Sequence, residues 1–190
     1  MAKLIALMHL SFDGFAAGPN GEMDWISFDE KIFEHVSKYI FQVGTGIYGP
    51  KTFQMMESYW PGVLKDPESG ELAGKHARWY ASAKKIVCSR ALKHLENKEA
   101  GLINSNLEEE IKKLKQQSEK DLMVFGSPGL TQSLARYDLF DEYVINVNPV
   151  LLGGGMRMFE DLARTKLDLV SATTFSSGVV GFHYTKKLPI

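Results

Sequence analysis

Three stretches of the sequence predict an α/β fold. Residues 121–155, DLMVFGSPGLTQSLARYDLFDEYVINVNPVLLGGG, read as strand, turn, helix and strand. Their apolar run 122–125 stops at Gly126, Ser127, Pro128 and Gly129, Leu130 and Leu134 follow one helical turn apart, and a β-rich run opens at Tyr143. Residues 3–10 form a nearly continuous apolar run, the pattern of a strand covered on both faces. Near the C-terminus, residues 167–170 and 179–186 flank a Ser176, Ser177, Gly178 turn with β-branched and aromatic side chains, as in a β-hairpin. One βαβ unit with a terminal hairpin is the expected frame.

Size and composition narrow the class of function. A chain of 190 residues suits one domain that buries roughly 70% of its unfolded surface. It is 44% hydrophobic and 24% charged, and no apolar run approaches the ~18 residues of a membrane span. The short run after Lys3 meets Asp13 and Gly14 at once, so a cytoplasmic protein without a secretory signal is expected. A net charge of −1 lacks the basic face that nucleic-acid binding needs, so neither nucleic acid nor membrane is an expected partner. Cys88 is the single cysteine, the five histidines are scattered, and no metal-ligand spacing emerges, so no metal is expected.

In chain order, the first strand ends at Ser11, Phe12, Asp13 and Gly14. A loop through Gly18, Pro19, Asn20 and Gly21 then reaches Met23, Asp24 and Trp25. This loop suits either apolar cover for a flat ring or a surface loop beside a core tryptophan. Ser27 and Glu30 have capping-box spacing, and Ile32, Phe33, Val36, Tyr39 and Ile40 predict a helix over residues 28–40 with Asp29 in its first turn. GTGIYGPKT predicts a short strand at residues 46–48 and a helix start near Lys51 and Thr52. It departs from a P-loop because Pro50 precedes the lysine and removes an N–H.

Residues 59–74, rich in Pro and Gly, read as a loop, and residues 75–81 as a helix. Residues 85–88 form a strand that ends at Ser89 and Arg90, where α/β sheets place ligand contacts. Leu107, Ile111 and Leu114 among acids and lysines mark an amphipathic helix. Residues 143–147 alternate into Asn146 and Asn148, and residues 156–162 read as a short helix after Gly153, Gly154 and Gly155. The turn at residues 126–129 fits a pyrophosphate, since glycines admit close approach and a helix N-terminus offers free N–H groups; a plain strand-to-helix turn has the same composition.

Five motifs in order, SFDGFAAGPNGEMDW (11–25), YGPKTF (48–53), IVCSRAL (86–92), VFGSPGL (124–130) and DEYVINVNPVLLGGG (141–155), are similar to the dihydrofolate reductase-like superfamily. The chain most resembles its branch typified by the C-terminal reductase domain of the bacterial riboflavin-biosynthesis deaminase/reductase. The resemblance covers nearly the whole chain. It implies a three-layer α/β/α domain with a mixed, mostly parallel sheet and a C-terminal antiparallel hairpin, NADPH as cofactor, a small-molecule substrate, and a homodimer.

What the resemblance implies for the site is carried position by position. Gly18, Met23 and Trp25 match the active-site loop over the nicotinamide. Gly49, Lys51 and Thr52 match the pyrophosphate-binding helix start, and Gly126, Ser127, Gly129 and Leu130 the glycine-rich turn. Ser89 and Arg90 match residues that meet the 2′-phosphate, which implies NADPH rather than NADH. Asp29 matches the catalytic acid; Trp25, Asp29, Phe33 and Asn146 are the candidate substrate contacts.

Three departures stand out. Gly126 and Ser127 replace consecutive glycines, leaving open whether their peptide is cis, and Ala83 with Lys84 stands where folate reductases carry an arginine for the glutamate tail. The deaminase half has no counterpart in these residues. The leading expectation is a pyrimidine reductase of the riboflavin type, with a pterin or folate reductase as the alternative. A nucleotide-binding protein without turnover is the contrasting class, and a structural subunit presenting Trp60 and Trp79 at an interface a third.

Overall fold

The structure is a computed structural model and describes residues 1–27 and 29–187. Its frame is an eight-stranded sheet in the order β5-β4-β3-β6-β1-β7-β10-β9. The strands are β1 (Leu4–Ser11), β3 (Thr45–Tyr48), β4 (Lys84–Cys88), β5 (Gly101–Ile103), β6 (Leu122–Phe125), β7 (Glu142–Asn148), β9 (Leu167–Thr174) and β10 (Val180–Lys186). The first six run parallel, and β10 is antiparallel to both β7 and β9. A short antiparallel pair, β2 (Phe15–Ala17) with β8 (Met156–Arg157), stands apart.

Alternation along the buried strands divides the core. Leu4 and Ala6 pack with Ile111 and Leu134 under helices α4 (Leu107–Gln117) and α5 (Pro128–Arg136). Ile5 and Leu7 face the other way, onto Val36, Phe53 and Tyr80 of α1 (Glu30–Ile40), α2 (Pro50–Lys65) and α3 (Glu71–Ser82). The result is the expected α/β/α layering with a mostly parallel sheet and antiparallel C-terminal strands.

Five expectations are corrected. The strands of the βαβ unit are not neighbours, because β1 lies between β6 and β7 and pairs with each. The N-cap of α1 is Asp29 rather than Ser27. The Asp29 carboxylate accepts the Ile32 N–H at 2.9 Å, while the Ser27 N–H is drawn to Asn148 Oδ1 at 2.8 Å. Phe28, where the sequence placed the start of this helix, lies outside the described residues.

Helix α2 runs on to Lys65 through Pro61, into the stretch read as a loop. Packing of Met56 and Trp60 against the core offsets the backbone bond that Pro61 cannot make. Residues 156–157 form a strand instead of opening a helix, because they pair with β2 and Arg157 lies 4.7 Å above the Phe15 ring; Asp161 then turns at φ +52. Trp60 and Trp79 are half-buried in the core, with the Trp79 indole N–H on the Val43 carbonyl, so they form no exposed interface patch.

Candidate functional site

The C-terminal ends of the parallel strands gather most of the predicted cofactor residues. There β6 turns into α5 through Gly126 (φ +51) and Ser127 (φ +52), with a trans peptide between them. Glycine suits that conformation; for serine it costs on the order of 1 kcal/mol, which something must offset. The offset comes from the side chain. Ser127 is buried, and its Oγ accepts the Gly49 N–H at 2.8 Å and lies 2.9 Å from Thr52 Oγ1.

Gly49 is the N-cap of α2, so one hydroxyl ties together the starts of two helices that each open on a proline. The first intrahelical bonds are Phe53 N–H to Gly49 and Thr131 N–H to Ser127. The N–H groups of Lys51, Thr52, Gly129 and Leu130 are therefore left as first-turn donors, with the positive ends of two helix dipoles behind them. A Cβ at Gly129 would meet nothing within 4 Å, so the approach to this turn is open, whereas one at Gly49 would press on Ser127 Oγ at 3.2 Å.

From this junction an open groove of about 620 Å³ leads away between α5 and the start of α4. Gly49, Ser89, Arg90, Gly129 and Leu130 all line it, so five of the cofactor residues expected from sequence meet in one place. Gly126, Ser127, Lys51 and Thr52 do not line it; Ser127 and Thr52 connect to it through the Ser127 hydroxyl, which accepts the Gly49 N–H. Ser89 is fixed by its N–H on the Ile103 carbonyl at 2.9 Å, and its Oγ accepts the Leu92 N–H at 3.2 Å. Arg90 is left exposed at the rim.

The groove also has residues that the sequence reading missed. The β5–α4 connection contributes Asn104, Ser105 and Asn106, the last at φ +49, and Tyr137 closes the far side. β5 is only three residues long, too short for periodicity to reveal it. Cys88 lines the floor, and burial pushes its thiol up to about 12, so it is unreactive at neutral pH.

The candidate substrate residues all lie outside that groove. Asp29 uses Oδ1 to cap α1, and its Oδ2 accepts no hydrogen bond among the described residues. Phe33 is half-buried one turn later. Trp25 is half-buried with its indole N–H on the Glu22 carbonyl at 3.0 Å, and Met23 is exposed. A Cβ at Gly18 would displace the exposed Glu22 carboxylate.

This loop is tied to the Gly153–Gly155 segment. Asp13 accepts the N–H groups of Leu152 and Gly153 together with the Ser11 hydroxyl, and that hydroxyl above all pulls its carboxyl down to about 2. Asn146 is fully buried beneath α1. Neither of its amide atoms has a partner among the described residues, and a Cβ at Gly181 would come within 2.9 Å of both Asn146 Oδ1 and His35 Nε2. Among the described residues there is no cluster of ligands suited to a metal and no helix long and apolar enough to cross a membrane.

Comparison with known proteins bears on this arrangement. The model of the RibD C-terminal domain family matches residues 2–181. The chain belongs to that family. RibD C-terminal domains are NADPH-dependent reductases with a dihydrofolate reductase-like fold. The uncharacterized protein YyaP of Bacillus subtilis (strain 168) is 34% identical over 96% of this chain and 94% of its own length. Among solved structures, the diaminohydroxyphosphoribosylaminopyrimidine deaminase/5-amino-6-(5-phosphoribosylamino)uracil reductase of Thermotoga maritima superposes with a TM-score of 0.68 at 16% identity, covering 98% of this chain and 57% of that one. Dihydrofolate reductase of Enterococcus faecalis, complexed with NADP(H), superposes at 0.65 with 13% identity over 97% and 96% of the two chains. At such identities these superpositions speak for the fold of a RibD C-terminal domain alone.

Proposed function

We propose that the chain is an NADPH-dependent reductase of a small heterocycle, with an activity like that of 5-amino-6-(5-phosphoribosylamino)uracil reductase. The observation that carries this reading is the pair of helix starts joined through Ser127, opening onto a groove with Arg90 at its rim. Four free N–H donors suit a pyrophosphate, and the groove's volume of about 620 Å³ leaves room for an adenosine beyond it. Bound NADPH supplies the hydride. Asp29, with Oδ2 unengaged, holds an N–H of the substrate ring and favours protonation of the reduced C=N, while Phe33 and Trp25 pack on the ring and exclude water.

The test is calorimetric titration with NADPH and NADH, followed by a panel of pyrimidines, pterins and quinones. Micromolar NADPH binding with turnover of a pyrimidine is the expected result. Binding without turnover of any panel member favours a non-catalytic nucleotide-binding protein, and no binding removes the reading. Replacing Arg90 with Ala should weaken NADPH about tenfold and NADH less than twofold, as loss of one charge-assisted phosphate contact requires. Equal losses would refute the 2′-phosphate assignment.

Strand β9 supports a homodimer. It is an edge strand, and Leu167, Leu169 and Val170 are 40%, 55% and 55% exposed along it. Sedimentation velocity should give a dimer for the native chain and a monomer for Leu169→Lys.

A further inference from the structure

His76 lies on the buried face of α3 with Ala77 and Tyr80. It is 5% exposed, and neither ring nitrogen has a hydrogen-bond partner among the described residues. Buried polar groups are seldom left in this state without a function for the side chain's shape or chemistry.

Its neighbours are rings from three helices. The imidazole centre is 4.8 Å from Phe33 of α1 and 4.8 Å from Trp60 of α2, tilted 58° to one and 42° to the other. Phe33 and Trp60 are close to parallel, 18° apart, with centroids separated by 6.5 Å. Equal distances to both rings place the imidazole as a wedge at the edge of the space between them. Phe41 at the end of α1 and Trp79 of α3 also pack on the imidazole, with centroids at 5.3 Å and 6.1 Å. Burial keeps the ring neutral down to about pH 4, so the wedge does not change charge in the physiological range.

Phe33 is the aromatic residue assigned to the substrate ring. A ring lying against Phe33 has Trp60 and His76 on its α2 and α3 side, and any bulky group pointing that way must displace them. We propose that His76 is a positioning residue that fixes Phe33 against Trp60 and thereby limits the substrate to a compact heterocycle with no aryl substituent on that side. This rests on the reductase reading for the place of the substrate. It deepens that reading by excluding tailed pterins of the folate type on steric grounds, independently of the missing arginine. Ala at position 76 removes the wedge, whereas Phe, larger than imidazole, keeps the space filled.

The experiment follows the heat of binding, which needs no tryptophan reporter, during titration at pH 7.5 with 2,4-diaminopyrimidine and with its 5-phenyl derivative. The native protein should prefer the bare ring at least tenfold. His76→Ala should reduce or invert that ratio by at least tenfold, and His76→Phe should preserve it. Trp60→Leu, a change at a half-exposed position, should move the ratio in the same direction as His76→Ala and serves if the latter does not fold. A thermal melt verifies folding in each case.

An unchanged ratio in the folded variants, including failure of every protein to bind either ligand, overturns the proposal. The reductase reading is judged separately, by NADPH oxidation in the native protein, which the binding ratio does not require.

Discussion

Ser127→Ala should destabilise the protein by about 2 kcal/mol and weaken NADPH roughly tenfold. The variant removes the acceptor of the Gly49 N–H, which is buried and has no solvent to replace it. A buried donor left unpaired costs about 1 to 3 kcal/mol. Loss of the link also frees the two helix starts to drift, and the N–H donors of Lys51, Thr52, Gly129 and Leu130 then no longer converge.

Ser127→Gly separates the two contributions. Glycine relieves the φ +52 conformation by on the order of 1 kcal/mol yet makes no link. Stability should therefore fall in the order native, Ser127→Gly, Ser127→Ala, while NADPH weakens by the same factor in both variants. Denaturant midpoints and calorimetric titration measure the two quantities. If both variants bind NADPH as the native protein does, the joined helix starts are not the pyrophosphate site.

The role of Ser127 shows where reading the sequence stops. The turn at residues 126–129 was legible because glycines and a proline mark it locally, and the resemblance assigned it to the pyrophosphate. The link to Gly49 spans 78 positions and has no local signature. The same division runs through the fold. Buried strands such as β1 and β6 announce themselves as apolar runs, and α1 by its 3.6-residue period.

The insertion of β1 between β6 and β7 depends on pairing over more than a hundred residues, which no window contains. β2, β5 and β8 are three, three and two residues long and exist only through their partners. Pro61 misled because local propensity is a weak prior once Trp60 has a core to enter. In the site, Asp29 and Phe33 could be named as candidates through the family resemblance, but His76 could not. Its significance arises where α1, α2 and α3 meet, and one histidine in KHARWY carries no sign of that.

Acid should unfold this protein earlier than its carboxylates alone would bring about. Burial pushes His9 and His76 down to about 4, whereas in the unfolded chain both titrate near 6.5. Between these values the unfolded state binds more protons than the folded state, so stability is fully present above pH 6.5 and falls as the pH drops toward 4. At pH 5 the loss is about 2 kcal/mol per histidine, about 4 kcal/mol together, against the 5 to 15 kcal/mol that holds a typical domain.

Burial lowers His35 in the same direction. Glu142 adds to the loss below pH 4.5: burial works to raise it, but hydrogen bonds from Lys3 and His183 outweigh that and hold the carboxyl below its usual range. Melting temperatures measured from pH 7.5 to 4.5 should therefore fall steeply from about 6.5 downward. Replacing His76 with Leu should remove close to half of that slope while leaving the plateau above pH 7 level. A melting temperature flat to pH 5 would mean that the His76 imidazole finds a proton acceptor or water when charged, and its dry packing between Phe33 and Trp60 would then be wrong.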